Sequence, residues 1–469
     1  MSGCGGFCLH VRLVYILAEL DLASCTAVTP VTSAPAHPVS RRLPPACLLL
    51  GGALCLVLIL SSHLLHAAET GQATPAEPVP APPGGNLDLS DAEPPPDGPV
   101  VSQSALSRPF LDAIHRLEGD DGAYAVGLSE HLLGLGLTLQ RQGRHGEALA
   151  AFKRGVHLAR INHGLYSAEQ IPLLKAEIAS HVALGDLAVA DERQQYLYRV
   201  QVSSLDRGEV MARALMQQAH WQYSAYRLGV GGPDFMRLMN MWDLYRLALN
   251  DIVSREGESS SDLLPPLYGM LRTQYLITNY RGEDQTSGFS TGEGYAGSVE
   301  YNRFNAYRND SYDKGRAVIQ AMYDIGQQAE DPVATAESQV MLGDWLLWNG
   351  KRQSAMQAYQ DAMAELAPLE DAQQEVERLL GQPVPLPSLE GLYPLPKPVE
   401  PDAADILLEF AVTSEGRVSD LERMDDNEEH DGVANRLMRM LRKTPFRPRF
   451  HQGEPVPTEK IVRAYAVGE

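Results

Sequence analysis

Cysteine is missing from most of this chain. Its five cysteines, Cys4, Cys8, Cys25, Cys47 and Cys55, all lie in the first 55 of 469 residues. The long remainder therefore carries no disulfide framework, no thiolate metal site and no cysteine nucleophile. Positive charge is also scarce: 39 Lys and Arg against 60 Asp and Glu give a formal net charge of -21. General nucleic-acid binding needs the opposite balance, because basic side chains must neutralise phosphate. The thirteen histidines include no HExxH and, beyond residue 68, no pair at i, i+4. No metal site and no cofactor are expected from them. A chain 44% hydrophobic and 21% charged is not wholly disordered. Its length suits two to four domains at ~150 residues each.

The N-terminus reads as an export signal. Arg41-Arg42 precede an apolar run from Leu43 to Leu60, and Ser61 to Ala68 follow with small residues. That order is the layout of a secretory signal, with cleavage after Ala68. The run is also long enough to stay as a membrane anchor. Pro44-Pro45 behind the arginine pair point to the general secretory route rather than a twin-arginine one. Residues 39–68 are thus signal peptide or anchor. Residues 1–38, ending in the Pro/Ser/Thr-rich tract Thr29 to Pro38, are expected to be a spurious extension ahead of the true start.

Residues 69–105 are rich in Pro, Ala and Glu. They are expected to be a disordered, extended spacer rising ~3.1 Å per residue. A second Pro-rich stretch, 381–401, reads as a linker between a helical middle, 109–380, and a C-terminal domain, 402–469.

In the middle, Leu128, Leu132, Leu135 and Leu139 share one helical face. Leu135-Gly136, Leu139, Gly143, Ala148, Phe152 and Gly155 have the small/large spacing of a tetratricopeptide (TPR) repeat. Leu342-Gly343, Leu346, Gly350, Ala355, Tyr359 and Ala362 repeat it near the end. Glycine at the crossing lets two helices approach, and the aromatic fills the gap beside it. Leu174, Ile178, Gly185, Ala190 and Leu197 form a partial copy in which Gln194 replaces the aromatic. Further helix pairs are expected at 207–228 with 234–254, and at 263–279 with 311–329. The middle resembles the TPR family, which implies a helix-pair solenoid with a peptide-binding groove. Trp345 is expected to pack inward. Asp344 and Trp348 are candidates to line the groove.

Two catalytic-looking motifs fall in one glycine-rich stretch. Gly292 to Gly297 is a literal GxGxxG and Gly288 to Gly292 a literal GxSxG around Ser290. Both need a preceding strand, yet 278–287 is polar. His430 or His451 would have to complete a triad from another domain. No catalytic residue is assigned. Beyond this long 281–300 loop, Tyr301, Phe304, Tyr307 and Tyr312 interleave with Arg303, Arg308, Lys314 and Arg316. Such residues bind sugars or peptides, or anchor a loop by its rings. Tyr301 and Tyr307 are the partner-binding candidates here.

From Asp405 the period falls to two. Ile406, Leu408, Phe410 and Val412 share a strand face, Glu415-Gly416 turns, and Arg417 to Met424 returns. Val433, Leu437, Met440 and Leu441 mark an amphipathic helix capped by Asp431, and a strand through Ile461 to Val467 closes a ββαβ order. Leu408 to Val412, Glu415 to Val418, Arg442 to Pro448 and Gly453 to Val456 together resemble the TonB C-terminal domain. Glu415 stands for the usual Asp, and Thr444-Pro445 for the usual Trp and basic residue. The resemblance implies a Gram-negative cell envelope and a binding mode by strand addition at the last strand, Glu459 to Tyr465, with Arg463 and Tyr465 on it. Between Gly432 and Gly453 there are six basic residues and no acid. Of these, Arg436, Arg439, Arg442 and Lys443 are candidates to dock an acidic peptide, or the acidic connector 425–431.

The fold expected is mainly α, a helix-pair TPR-like solenoid, with a small C-terminal α+β domain of TonB-like ββαβ order. The function expected is a non-enzymatic periplasmic or cell-envelope scaffold. Its partners would be envelope proteins or peptides, without nucleic acid. A TonB-type energy transducer is the alternative if the apolar run stays in the inner membrane. An envelope hydrolase using 282–316 is the other.

Overall fold

The computed structural model describes residues 103–280 and 294–467. The signal, spacer residues 69–102 and the GxSxG segment, Ser290 included, lie outside the described residues; the last spacer residues, 103–105, are not disordered but begin a helix. Among the described residues no helix is long and apolar enough to cross a membrane.

Five helix pairs follow one another: α2 (Leu128–Arg141) with α3 (His145–His163), α4 (Gln170–Ala183) with α5 (Leu187–Ser204), and α6 (Glu209–Leu228) with α7 (Asp234–Glu256). Then come α8 (Leu264–Asn279) with α10 (Ser311–Gln328), and α11 (Pro332–Trp348) with α12 (Arg352–Leu366). Before them stands α1 (Gln103–Asp121), between α8 and α10 is inserted α9 (Gly294–Asn309), and after them comes α13 (Ala372–Leu380). The described residues thus form a repeat of helix pairs.

Packing explains the spacing. A Cβ on Gly136 would overlap the Phe152 ring, and one on Gly343 would overlap the Tyr359 ring. Both rings are fully buried. Gly134 against Phe110, Gly269 against Tyr245 and Gly315 against Trp345 repeat the device. The first helices of four pairs also end alike, α6 among them with Val230 N–H donating to the Ala225 carbonyl (3.0 Å). Arg144 donates its N–H to the Leu139 carbonyl (2.9 Å), Asp186 to that of His181 (2.9 Å) and Lys351 to that of Leu346 (2.8 Å). Each closure needs the left-handed residue just before the donor, and Gly143 (φ 72°) and Gly350 (φ 74°) supply it. Where Gln194 replaces the aromatic, its side-chain amide donates to Gln218 of the next pair (2.9 Å), so a buried hydrogen bond stands in for ring packing.

Helix α9 corrects the sequence reading, which ran a loop through 281–300. Its glycines and weak periodicity disfavour a helix locally. Tertiary packing supplies the reason: Phe304 is fully buried, with its ring 5.5 Å from that of Phe235 and 5.1 Å from that of Tyr280.

The C-terminal domain has a three-stranded antiparallel sheet of β2 (Ile406–Val412), β3 (Val418–Arg423) and β7 (Thr458–Tyr465), in the order β3-β2-β7. The core is Ile406, Leu408, Phe410 and Val412 under α14 (Asp431–Lys443), which contributes Ala434, Leu437 and Leu441. Val433 and Met440, expected on the buried face, are instead exposed. Asp431 does not cap α14. It pairs with Arg423 at 2.6 Å. Three short strands missed by the sequence reading follow the helix. β4 (Phe446–Arg447) pairs with β1 (Val384–Pro385), and β5 (Arg449–His451) with β6 (Glu454–Val456).

Candidate interaction site

The segment between the helical array and the C-terminal domain is packed along its length. Leu386 is fully buried in the core of the last helix pair. Leu389 and Leu392 pack against the central core of the array. Leu395 enters the core of the C-terminal domain. Main-chain bonds fix both ends: Leu386 N–H donates to Pro445 carbonyl (2.9 Å) and Val399 N–H to Ala464 carbonyl (2.9 Å). One extended strap thus ties three cores together.

The strap lies on first helices. Tyr223 of α6 donates its hydroxyl hydrogen bond to the Gly391 carbonyl. Arg272 of α8 lies over the Tyr223 ring at 5.6 Å, and a Cβ on Gly391 would stand 3.2 Å from its guanidinium. A cleft of about 500 Å³ is bounded by Tyr223, Tyr275 of α8 and Trp348 of α11 on one side, and by Pro387, Tyr393 and Lys443 on the other. The Tyr275 ring meets those of Trp345 (4.7 Å) and Trp348 (5.8 Å) edge-on. Burial raises the Tyr275 hydroxyl well above its ordinary pKa. A second cleft of about 600 Å³ opens beside the strap between Arg272, Met341, Leu389 and Arg447.

Asp344, a groove candidate, lines this second cleft but is engaged by internal partners. It is 3% exposed. It accepts from Tyr359 hydroxyl (2.9 Å) and from Arg447 guanidinium (3.1 Å) of the C-terminal domain. Burial raises its carboxyl pKa, with Arg447 pulling the other way. Trp348 is half-buried and does line the cleft; Trp345 is fully buried, its indole N–H donating to Tyr312 carbonyl (3.1 Å).

Tyr301 and Tyr307 both pack their rings against neighbouring elements. Tyr301 stacks edge-on against Phe235 at 5.6 Å. Tyr307 is buried and donates to Asp243 (3.1 Å), with Lys314 Nζ 4.3 Å above its ring. Burial, and then Asp243, raise its hydroxyl pKa. Tyr465 is also buried, opposite Ile406, while Arg463 sits half-exposed opposite Leu408. On the outer side of β7, Val399 pairs with Ala464.

Arg436, Arg439, Arg442 and Lys443 are exposed on α14. The acidic connector does not answer them, since Asp425 and Asp431 both bind Arg423. His430 lies 4.0 Å from Asp405, and His451 is exposed on β5. Among the described residues no group of three or more His, Cys, Asp or Glu could hold a metal ion.

No family model and no curated protein matches the chain. Among solved structures it is similar to BtubC (BKLC) from P. vanneervenii, at 13% identity and a TM-score of 0.35, over 65% of this chain and 97% of that one. It is also similar to a variant of a P. anserina kinesin light chain with nearly identical TPR-like repeats. There the identity is 13% and the TM-score 0.33, over 52% of this chain and 97% of that one. The strap was missed in sequence because proline spacing signals an extended backbone, while Leu386, Leu389, Leu392 and Leu395, three apart, carry the signal that it docks.

Proposed function

We propose that the chain is a protein-interaction scaffold whose first-helix face grips extended, Pro- and Leu-rich peptide segments. The observation that carries this is the strap itself. Tyr223 holds a main-chain carbonyl, and apolar pockets take leucines at intervals, which is how sequence-tolerant grooves bind extended chains. The chemistry of the present occupant defines the class of partner. An attached strap acts at roughly millimolar effective concentration, so a partner in trans must bind well to displace it.

The chain would be exported, cysteine-free after cleavage, and resident in the envelope. What supports this is the apolar run behind Arg41-Arg42 and the confinement of cysteine to the first 55 residues. The C-terminal domain would act as a TonB-like adaptor. Its support is the three-stranded sheet backed by one helix.

The test replaces residues 388–393 by Gly and Ser and adds a labelled peptide spanning 384–396. Saturable binding is expected, weakened by Tyr223→Phe. A variant that melts as the parent does but binds no peptide would sink the proposal.

A further inference from the structure

A third cleft, of about 510 Å³, joins the last helix pair to the C-terminal domain. It is lined by Leu347 and Gly350, by Arg352 at the start of α12, by the turn through Glu415 and Arg417, and by Arg442 to Pro445. It shares Lys443, Thr444 and Pro445 with the aromatic cleft beside the strap. The two clefts therefore adjoin at the C-terminal end of α14. Together they gather Arg227, Arg352, Arg417, Arg442 and Lys443, with Glu415 as the sole carboxylate in either lining.

In a chain of net charge -21 this concentration of cations calls for a cause. The α14 dipole accounts for Arg442 and Lys443, which lie in its last turn. It does not account for Arg417 in a β-turn. Nor does any dipole favour Arg352 in the first turn of α12, where a cation is opposed. Arg352 donates to the Glu415 carbonyl and so bridges the two parts of the cleft. Arg417, Arg442 and Lys443 are exposed and pair with no carboxylate among the described residues. Arg436 and Arg439 continue the charge along α14, beside the exposed Val433 and Met440.

We infer that the adjoining clefts bind an acidic peptide that carries an aromatic or apolar residue next to its carboxylates. The carboxylates enter among Arg352, Arg417 and Arg442. The neighbouring side chain enters the aromatic cleft past Lys443, against Tyr393, which is half-exposed, and Met440. A lone phosphate would engage two or three of these cations and leave the aromatic cleft empty. Planar guanidiniums drawn from three elements suit several carboxylates spaced along a chain. The inference deepens the scaffold proposal by naming a second partner chemistry, read by Arg352, Arg417 and Arg442, none of which lines the cleft beside the strap.

The full chain is titrated by fluorescence anisotropy with a labelled peptide, Glu-Glu-Asp-Glu-Trp-Leu. Its controls are the same peptide with Lys for each acid, inorganic phosphate, and phosphatidylglycerol vesicles. Saturable, salt-weakened binding of the acidic peptide is expected. Arg417→Glu and Arg442→Glu should each weaken it about tenfold or more. Tyr393→Ala should weaken it only when the peptide contains Trp. All three residues are exposed, so an unchanged melting curve verifies folding. Unchanged affinity in both charge reversals overturns the inference, as does displacement of the peptide by equimolar phosphate, or binding of vesicles without binding of peptide. If the 384–396 peptide still binds in that case, the scaffold proposal stands and this inference alone falls.

Discussion

The first and last helix pairs are built on one spacing and put to different uses. In both, a glycine on the first helix receives a buried ring from the second: Gly136 with Phe152, Gly343 with Tyr359. In the first pair the ring is a plain hydrocarbon, and the residue after the glycine, Leu137, is 39% exposed. In the last pair the ring bears a hydroxyl, and the residue after the glycine is Asp344, 3% exposed. That carboxylate accepts from the hydroxyl through one oxygen and from Arg447 of the C-terminal domain through the other. Two polar differences on a shared geometry thus turn a repeat-to-repeat contact into a domain junction. A packing rule sets where the helices go, and a few polar atoms set what the end of the array can hold.

The largest break in that comparison should come from Asp344→Ala. It leaves Arg447 buried without its counter-charge, at a cost of about 3–5 kcal/mol. Leu137→Ala at the equivalent position should cost well under ~1 kcal/mol, as exposed substitutions do. Urea unfolding of the two variants checks this. Next, Gly136→Val and Gly343→Val should each lose about 2–3 kcal/mol, because both force a methyl-bearing carbon into a ring. If only one end is sensitive, the two pairs do not share a packing rule. Smaller again is Tyr359→Phe, which removes one hydrogen bond to a carboxylate, at about 1–2 kcal/mol. It should also raise the rate of proteolytic cutting in 381–401, where Phe152→Tyr would not.

The smallest effect sharpens the contrast through pH. Asp425 is held down to about 2, first by the Arg423 side chain and then by the N–H groups of Leu407 and Asn427. Its folded value lies below its unfolded one of 3.8. Its stabilisation is therefore present above that value and is lost as pH falls toward 2. Asp344 is shifted the other way by burial, so its contribution weakens as pH rises past 3.8. Asp425→Asn should flatten the acid side of the stability profile, measured as denaturation midpoint against pH, while Asp344→Asn should not.

The helix pairs were legible because their signals are local. Gly136, Gly143, Ala148 and Phe152 lie within one pair, and their spacing dictates the crossing and the turn. The strand face of Ile406, Leu408, Phe410 and Val412 was legible for the same reason, and all four are buried. Helix α9 was not, because what holds it is Phe304 among rings from two distant helices. On α14 the apolar spacing marks a helix, yet Val433 and Met440 sit on its exposed face. Two polar residues in the candidate site changed meaning for one physical reason. Asp344 and Tyr307 find partners far along the chain, at Arg447 and Asp243.

By itself, then, the sequence determined that the middle is built of paired helices, that Ile406 to Val412 form a strand, and that the bulk of the chain has no thiol chemistry. Each of these follows from the identity and spacing of near neighbours. The tertiary structure alone decided that 381–401 docks as a strap, that Asp344 closes a junction, and that Arg352 and Arg417 meet Arg442 and Lys443 in one cleft. The physical reason is that burial and charge pairing are properties of surfaces brought together from distant parts of the chain.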